Sequence, residues 1–205
     1  MKITSIDSCV LTVPTSKQMA LEFPHHKLVV AEILTDQGLK GLGYSLVFAG
    51  TGAESVLVYL DTRLKPQLLG EDPRAVERLW DKMYRCDRGV RRVGIAGMAL
   101  SALDIALWDL AGKAAELPLY RMWGGAADKA GCYGSGGWGK YTEKDLVAEA
   151  ERYAGMGCKY YKMKIHDPDP LVNARRVGTV KKALGPGVRM MVDVNQKLDV
   201  IGNVR

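Results

Sequence analysis

The chain has no Cys-x-x-Cys pair. Its cysteines, Cys9, Cys86, Cys132 and Cys158, stand far apart. That spacing argues against a zinc site or disulfide framework and for free thiols in a reducing compartment. A long apolar run is also missing. The most apolar stretch, Ile95 to Ala115, is interrupted by Asp104 and Asp109, whereas a membrane span needs about 20 apolar residues in succession. A buried helix is the expectation there. Met1-Lys2-Ile3 leads into strand-like alternation and not into an apolar h-region, so no signal peptide is expected. A cytoplasmic protein with no membrane partner follows as the expectation. Dense basic runs are absent too, apart from the brief cluster Arg88 to Arg92. The formal net charge of +6 is spread along the chain, which argues against a nucleic-acid partner.

What the chain does have is a short stretch, Tyr160-Tyr161-Lys162-Met163-Lys164-Ile165, between Gly157 and Pro168. Aromatics followed by alternating lysine and apolar residues predict a β-strand. Side chains at i and i+2 share a strand face, so Lys162 and Lys164 point one way and Tyr161, Met163 and Ile165 the other. Taken alone, this is a half-buried strand with its lysines in water. A second strand, Arg189 to Gln196, changes the reading, with Met191, Asp193 and Asn195 on one face and Val192 and Val194 on the other. Between the two, Asp169-Pro170 predicts an N-cap with proline at the first helical position. Leu171, Ala174, Val177, Val180 and Leu184 recur at helical spacing, and Gly185-Pro186-Gly187 ends the pattern. Strand, helix and strand over about 30 residues make a βαβ unit, hence a parallel pair. The apolar faces are expected to meet helices. The polar faces gather lysines, Asp and Asn at the C-terminal strand ends, as an active site at the mouth of a βα-barrel requires.

Earlier in the chain, strands are predicted over Lys2 to Val13, Lys27 to Thr35 and Gly41 to Leu46, with a turn at Asp36-Gln37-Gly38 and a loop over Pro14 to His26. A helix is predicted from Ala53 to Leu69. Another, capped by Asp72-Pro73, runs to Arg85, and a short turn follows Pro118. From Ala130 onward the order becomes strand (Gly131 to Ser135), helix (Thr142 to Ala154), strand, helix, strand. That change of grammar near Gly124-Gly125 predicts two domains. Residues 1–125 form an α+β domain with an antiparallel three-stranded sheet and helices. Residues 126–205 form an incomplete α/β, TIM-type barrel of about three strands.

Several stretches resemble the enolase superfamily, and within it the mandelate racemase and acid-sugar dehydratase group, also described as muconate lactonizing enzyme-like. Ala99 to Lys113, followed by Pro118-Leu119 and Gly124, is similar to that group's long signature, with Met122-Trp123 in place of the usual Leu-Leu pair. Lys162-Met163-Lys164 matches a Lys-x-Lys motif on the second barrel strand. Val192 to Gln196 matches the third-strand motif. Gly43 to Ala49 is similar to a loop of the capping domain. The resemblance runs over nearly the whole chain.

The resemblance implies abstraction of a proton from the carbon next to a carboxylate, giving an enediolate that fixed charge must stabilise. It implies Lys164 as the base and Lys162 as its electrostatic partner on the substrate carboxylate. Like charges on one strand face disfavour double protonation, and a lysine base needs a pKa near neutrality. It also implies Asp193 as a Mg2+ ligand, a hard oxygen for a hard cation, and Asn195 at the substrate. On residue type alone, Asp193 and Asn195 read as a strand-end cap or turn residues. His25 and His26 fall in the loop that in the family helps choose substrate, or are an exposed loop pair. Tyr133, Ser135 and Trp138 sit at or past the first barrel strand, where packing is the commoner role. His166 is given none. Gly50 replaces a tyrosine that contacts an aromatic substrate, which argues against mandelate.

The expected substrate is a small carboxylate such as an acid sugar, and the expected assembly a homo-oligomer. A barrel needs about 250 residues and eight strands. The chain is therefore expected to be an N-terminal portion, lacking later-strand metal ligands and a second base, inactive alone and a weak Mg2+ binder. The alternative is a non-catalytic truncated product acting as an assembly or binding module.

Overall fold

Alternating apolar and polar residues build the first sheet. β1 (Ile3–Pro14), β2 (His25–Thr35) and β3 (Lys40–Val47) form an antiparallel meander in the order β1-β2-β3. The computed structural model describes residues 1–15, 23–90, 93–165 and 167–195. In β3 the alternation is strict. Gly41, Gly43, Ser45 and Val47 are buried, and Lys40, Leu42, Tyr44 and Leu46 are exposed. The first two strands run further than the sequence predicts: Val13 pairs with His26 and Pro14 with His25. Both histidines therefore belong to a strand and not to a loop. Strand pairing runs up to Pro14 and His25, and one further backbone bond follows, from the Thr15 N–H to the Pro24 carbonyl at 3.2 Å.

The buried face of β3 lies on α4 (Gly94–Ala115). By length and composition α4 could cross a membrane, but Ala99, Ala102, Leu103, Ala106, Leu107 and Leu110 are buried in the sheet-helix core. The approach is very close. A Cβ on Gly41 would lie 2.2 Å from the Ala106 carbonyl oxygen, and one on Gly43 would lie 2.0 Å from that of Ala102. Asp109 then fastens the strand, accepting from the Leu42 N–H at 2.8 Å and from the Lys113 Nζ at 2.7 Å. Lys113 also donates to the Lys40 carbonyl at 2.8 Å. The stretch 99–113 thus acts here as a clamp between helix and sheet. Gly43→Ala is expected to cost about 1–3 kcal/mol by overpacking, read as a lower urea midpoint. An unchanged midpoint would mean that helix and strand separate freely.

α1 (Ala53–Tyr59), a π-turn at Leu60–Leu64 and α2 (Lys65–Leu68) occupy the stretch expected as one helix. α3 (Val76–Arg85) begins later than predicted, and Asp72 does not cap it. Its carboxylate is turned onto Arg74 instead, accepting from the backbone N–H at 3.0 Å and from the guanidinium at 2.7 Å. α5 (Leu119–Met122) closes this unit, which spans Met1–Asp128.

The second unit, Lys129–Arg205, holds β4 (Gly134–Gly136), α6 (Glu143–Gly155), β5 (Tyr160–Lys164), α7 (Pro170–Leu184) and β6 (Arg189–Asp193). The strands are parallel in the order β4-β5-β6. Both helices start as the sequence predicts. Thr142 and Asp145 form a capping box, and Asp169 accepts from the Leu171 N–H at 2.8 Å, with Pro170 at the first position. β4 is shorter and later than expected because it presses on α6. A Cβ on Gly134 would meet the Tyr153 ring at 2.5 Å, and one on Gly136 would meet the Glu149 carboxylate at 1.9 Å. Tyr161 and Met163 are fully buried with Leu146, Ala150, Val180 and Leu184. Val192 departs from the expected pattern: it is 49% exposed. It lies on β6, an outer strand of the described sheet, and not in its centre.

Candidate active site

The parallel register places Lys162 beside Met191 and Lys164 beside Asp193, so the two lysines and the carboxylate share one face of the sheet. Asp193 divides its oxygens. Oδ1 accepts the Asn195 N–H at 2.9 Å, and Oδ2 lies 3.1 Å from the Lys162 Nζ and 3.5 Å from the Lys164 Nζ. Asn195 adopts φ 49°, a left-handed conformation that asparagine tolerates better than most residues. Its Oδ1 accepts from the Lys164 Nζ at 2.8 Å. Asp193 and Asn195 thus form a strand-end turn, and the same two side chains hold the lysines.

Aromatic rings complete this face. The Tyr133 ring lies 5.4 Å from the Lys162 Nζ, and the Trp138 ring lies 5.4 Å from the Lys164 Nζ. Both are within the range over which a ring face attracts a cation. A cleft of about 140 Å³ opens at Lys164, lined also by Gly139, Asp167, Pro168 and Arg176. The Arg176 guanidinium donates to the carbonyls of Trp138 and Tyr141, each at 2.9 Å, and so ties α7 to the loop that carries Trp138. Behind the face, Glu149 is buried and accepts from the Gly137 N–H at 2.6 Å and the Tyr161 hydroxyl at 2.7 Å. Burial, and then the bond to Glu149, push the Tyr161 hydroxyl far above its ordinary pKa.

The charge state of the face follows from these contacts. The Asn195 N–H first, and then the Lys162 ammonium, hold Asp193 below its ordinary value. The bond to Asp193 raises Lys162 above its ordinary value, against the opposing effect of burial. A depressed carboxylate stabilises the fold above its unfolded pKa, and that contribution is lost as pH falls through the folded value. A raised lysine stabilises it below its unfolded pKa, and the contribution is lost as pH rises through the folded value. The pair should thus be intact between those two limits. Carbon-detected NMR titration is expected to place the Asp193 inflection below about 3.9, the model-peptide value. An inflection at or above that value would show that the contacts to Asn195 and Lys162 do not form in solution.

Asp193 offers a hard oxygen of the type magnesium takes. Among the described residues, however, no group of three or more His, Cys, Asp or Glu side chains could hold a metal ion. The described residues supply one carboxylate and not a whole metal centre. Lys162, Lys164, Asp193 and Asn195 are brought together. His25 and His26 belong to the first unit. His25 is exposed. His26 accepts the Ala49 N–H at Nδ1 over 3.2 Å, lies against the Phe48 ring at 4.7 Å, and has a buried Nε2 without a hydrogen-bond partner among the described residues. His166 and Gln196 lie outside the described residues. Sequence reasoning passed over Glu149 and Arg176, and favoured packing for Tyr133 and Trp138. The available signal for Glu149 was an acid on the apolar face of α6, three residues after Leu146 and next to Ala150.

A meander clamped on one long helix, followed by parallel βα units with charged strand ends, has the architecture of a capping domain and the opening strands of a βα-barrel. The comparisons agree. Residues 5–124 match the model for the mandelate racemase / muconate lactonizing enzyme N-terminal domain, and residues 145–205 match the enolase C-terminal domain-like model. The chain belongs to the mandelate racemase / muconate lactonizing enzyme family of the enolase superfamily. It is 38% identical over 173 residues to arabinonate dehydratase of Saccharolobus solfataricus, covering 82% of this chain and 45% of that protein. A magnesium-bound racemase from Streptomyces coelicolor A3(2) superposes with TM-score 0.92 at 30% identity, covering 99% of this chain and 58% of that one. L-talarate dehydratase from Polaromonas sp. JS666, complexed with Mg and L-glucarate, gives 0.85 at 32% identity, covering 97% and 53%. The chain spans about half the length of the curated relatives it matches.

Proposed function

We propose that this chain is the N-terminal part of a magnesium-dependent enzyme that removes the α-proton of an acid-sugar carboxylate, leading to dehydration. The observation that supports this most is the single sheet face holding Lys162, Lys164, Asp193 and Asn195 within reach of one another. Lys164 is assigned as the base. Lys162 neutralises the substrate carboxylate, and Asn195 orients the base and contacts substrate. Asp193 contributes one ligand to the metal ion, whose charge, when bound, stabilises the oxygens of the developing enediolate. His25 and His26 are assigned to substrate recognition, supported by the His26 Nε2, which has no hydrogen-bond partner among the described residues. Dehydration is preferred to racemisation because the relatives named dehydratases include arabinonate dehydratase at 38% identity.

This stretch by itself is not expected to turn over, because its described residues offer one carboxylate to the metal. Two measurements test the reading. Calorimetry of the 205-residue chain should show weak magnesium binding at most. The chain joined to the remaining barrel strands of a relative should exchange the α-proton of an aldonic acid with deuterated water when magnesium is present. Tight stoichiometric magnesium binding by the chain alone, or no exchange across a panel of acid sugars in the joined protein, would overturn it.

A further inference from the structure

The face of the β1-β2-β3 sheet turned away from α4 is untouched by this function. Residues paired across the strands point the same way. Leu11, Leu28 and Leu46 therefore form one row, Val30 and Tyr44 stand in the next, and Leu42 in the row after. None of them belongs to the core under α4, and Leu11, Leu42, Tyr44 and Leu46 are 47–53% exposed. Single exposed apolar residues are ordinary, but half-exposed side chains of this size in one patch come to about 500 Å², at the upper end of what a monomer leaves bare. Two such patches face to face would cover about 1,000 Å², the size at which a specific interface begins.

Charge at one end of the face selects the occupant. Asp7 stands directly across from Glu32, a like-charge pair that a sheet does not favour. Lys40 lies 3.2 Å from Glu32 and relieves one of the two acids. Asp7, exposed on the outer strand, has no hydrogen bond or ion pair among the described residues. β1 and β3 flank β2, so a two-fold axis along β2 lays the β3 of a second copy over β1 and keeps the rows in order. Lys40 of that copy arrives over Ser5, beside Asp7, and symmetry repeats the contact on the other side. Sheets packed face to face cross at about 30°, an offset that a lysine at the rim can span. The same operation sets Leu46 of the copy over Leu11, and Leu28 and Val30 over their own counterparts. We propose that this face is a self-complementary interface that seats the same face of a second copy.

Sedimentation equilibrium of the 205-residue chain is expected to show a reversible dimer. Tyr44→Lys, an exposed change that leaves the core intact, should weaken it by about tenfold or more, since a charge then sits in the middle of the apolar patch. Asp7→Lys should weaken it about threefold to tenfold, the worth of two exposed ion pairs turned to repulsion. Adding Lys40→Glu to Asp7→Lys should restore most of that loss, because the signs are exchanged and not removed. The chain joined to the remaining barrel strands of a relative should keep the dimer. A chain that stays monomeric, association that Tyr44→Lys and Asp7→Lys leave unchanged, or a double variant no tighter than Asp7→Lys would overturn the proposal. So would a dimer that is lost in the joined protein, because the added segment would then be the occupant.

Discussion

In an enzyme completed by the rest of the barrel, Lys164→Ala is expected to abolish proton exchange at the substrate's α-carbon. Loss of a general base costs about 10²–10⁴-fold, and more where base and fixed charges act as one unit. Lys164 is the better candidate for this role because it lies two residues nearer the C-terminal end of β5, where a barrel substrate sits. It also lines the cleft and has only 13% of its side chain exposed. Lys162→Ala should act differently. It removes the closer of the two ammonium groups on Asp193 Oδ2 and a positive charge from the substrate carboxylate, so the loss should fall mainly on KM. Proton NMR of exchange from deuterated water separates the two. Wild-type exchange in Lys164→Ala, with none in Lys162→Ala, would reverse the assignment. Normal exchange in both would make these lysines ordinary strand residues.

Glu149→Ala is expected to produce the largest loss of stability in the second unit, about 2–5 kcal/mol. The change strands the Gly137 N–H and the Tyr161 hydroxyl in the core and leaves a void beside Gly136. A purely local loss would lower the unfolding midpoint and stop there. Here the effect should travel, because the Gly137 N–H anchors the loop that carries Trp138 over Lys164. The Trp138 indole signal should therefore broaden or shift under conditions in which the variant is still folded. Tyr161→Phe, which removes one bond and leaves the loop anchor, should keep that signal in place. A Glu149→Ala variant as stable as the parent would show that the carboxylate is not a structural post.

Much of this was legible in the sequence, for physical reasons that differ between elements. The period-2 pattern at Tyr160 to Lys164 and the cap at Asp169-Pro170 are local signals, and local signals fixed β5 and the start of α7. The shared face of Lys164 and Asp193 followed from the same alternation, given a parallel pair. What escaped depended on contacts between elements. The length of β1 and β2 was set by cross-strand pairing up to Pro14, which no window along the chain reveals. Asp72 looked like a cap, but a neighbouring guanidinium competed for it. The like-charge argument for the two lysines left out Asp193, which belongs to another strand and sits between them in space. Tyr133 and Trp138 are indistinguishable from packing residues until the lysines are placed beneath them.

The division of labour between the two oxygens of Asp193 bears on what can replace it. A carboxylate is the same seen from either oxygen, so one can serve the Asn195 N–H while the other faces two ammonium groups. An amide is not the same from both ends. Asparagine at this position, though equal in size, could satisfy the turn only by pointing its NH2 at Lys162 and Lys164, or face the lysines only by abandoning the turn that holds Asn195 at positive φ. The position is therefore intolerant of lost symmetry even at constant volume. A substitution that any size-based scale would rank as mild sets donor against donor at the centre of the site.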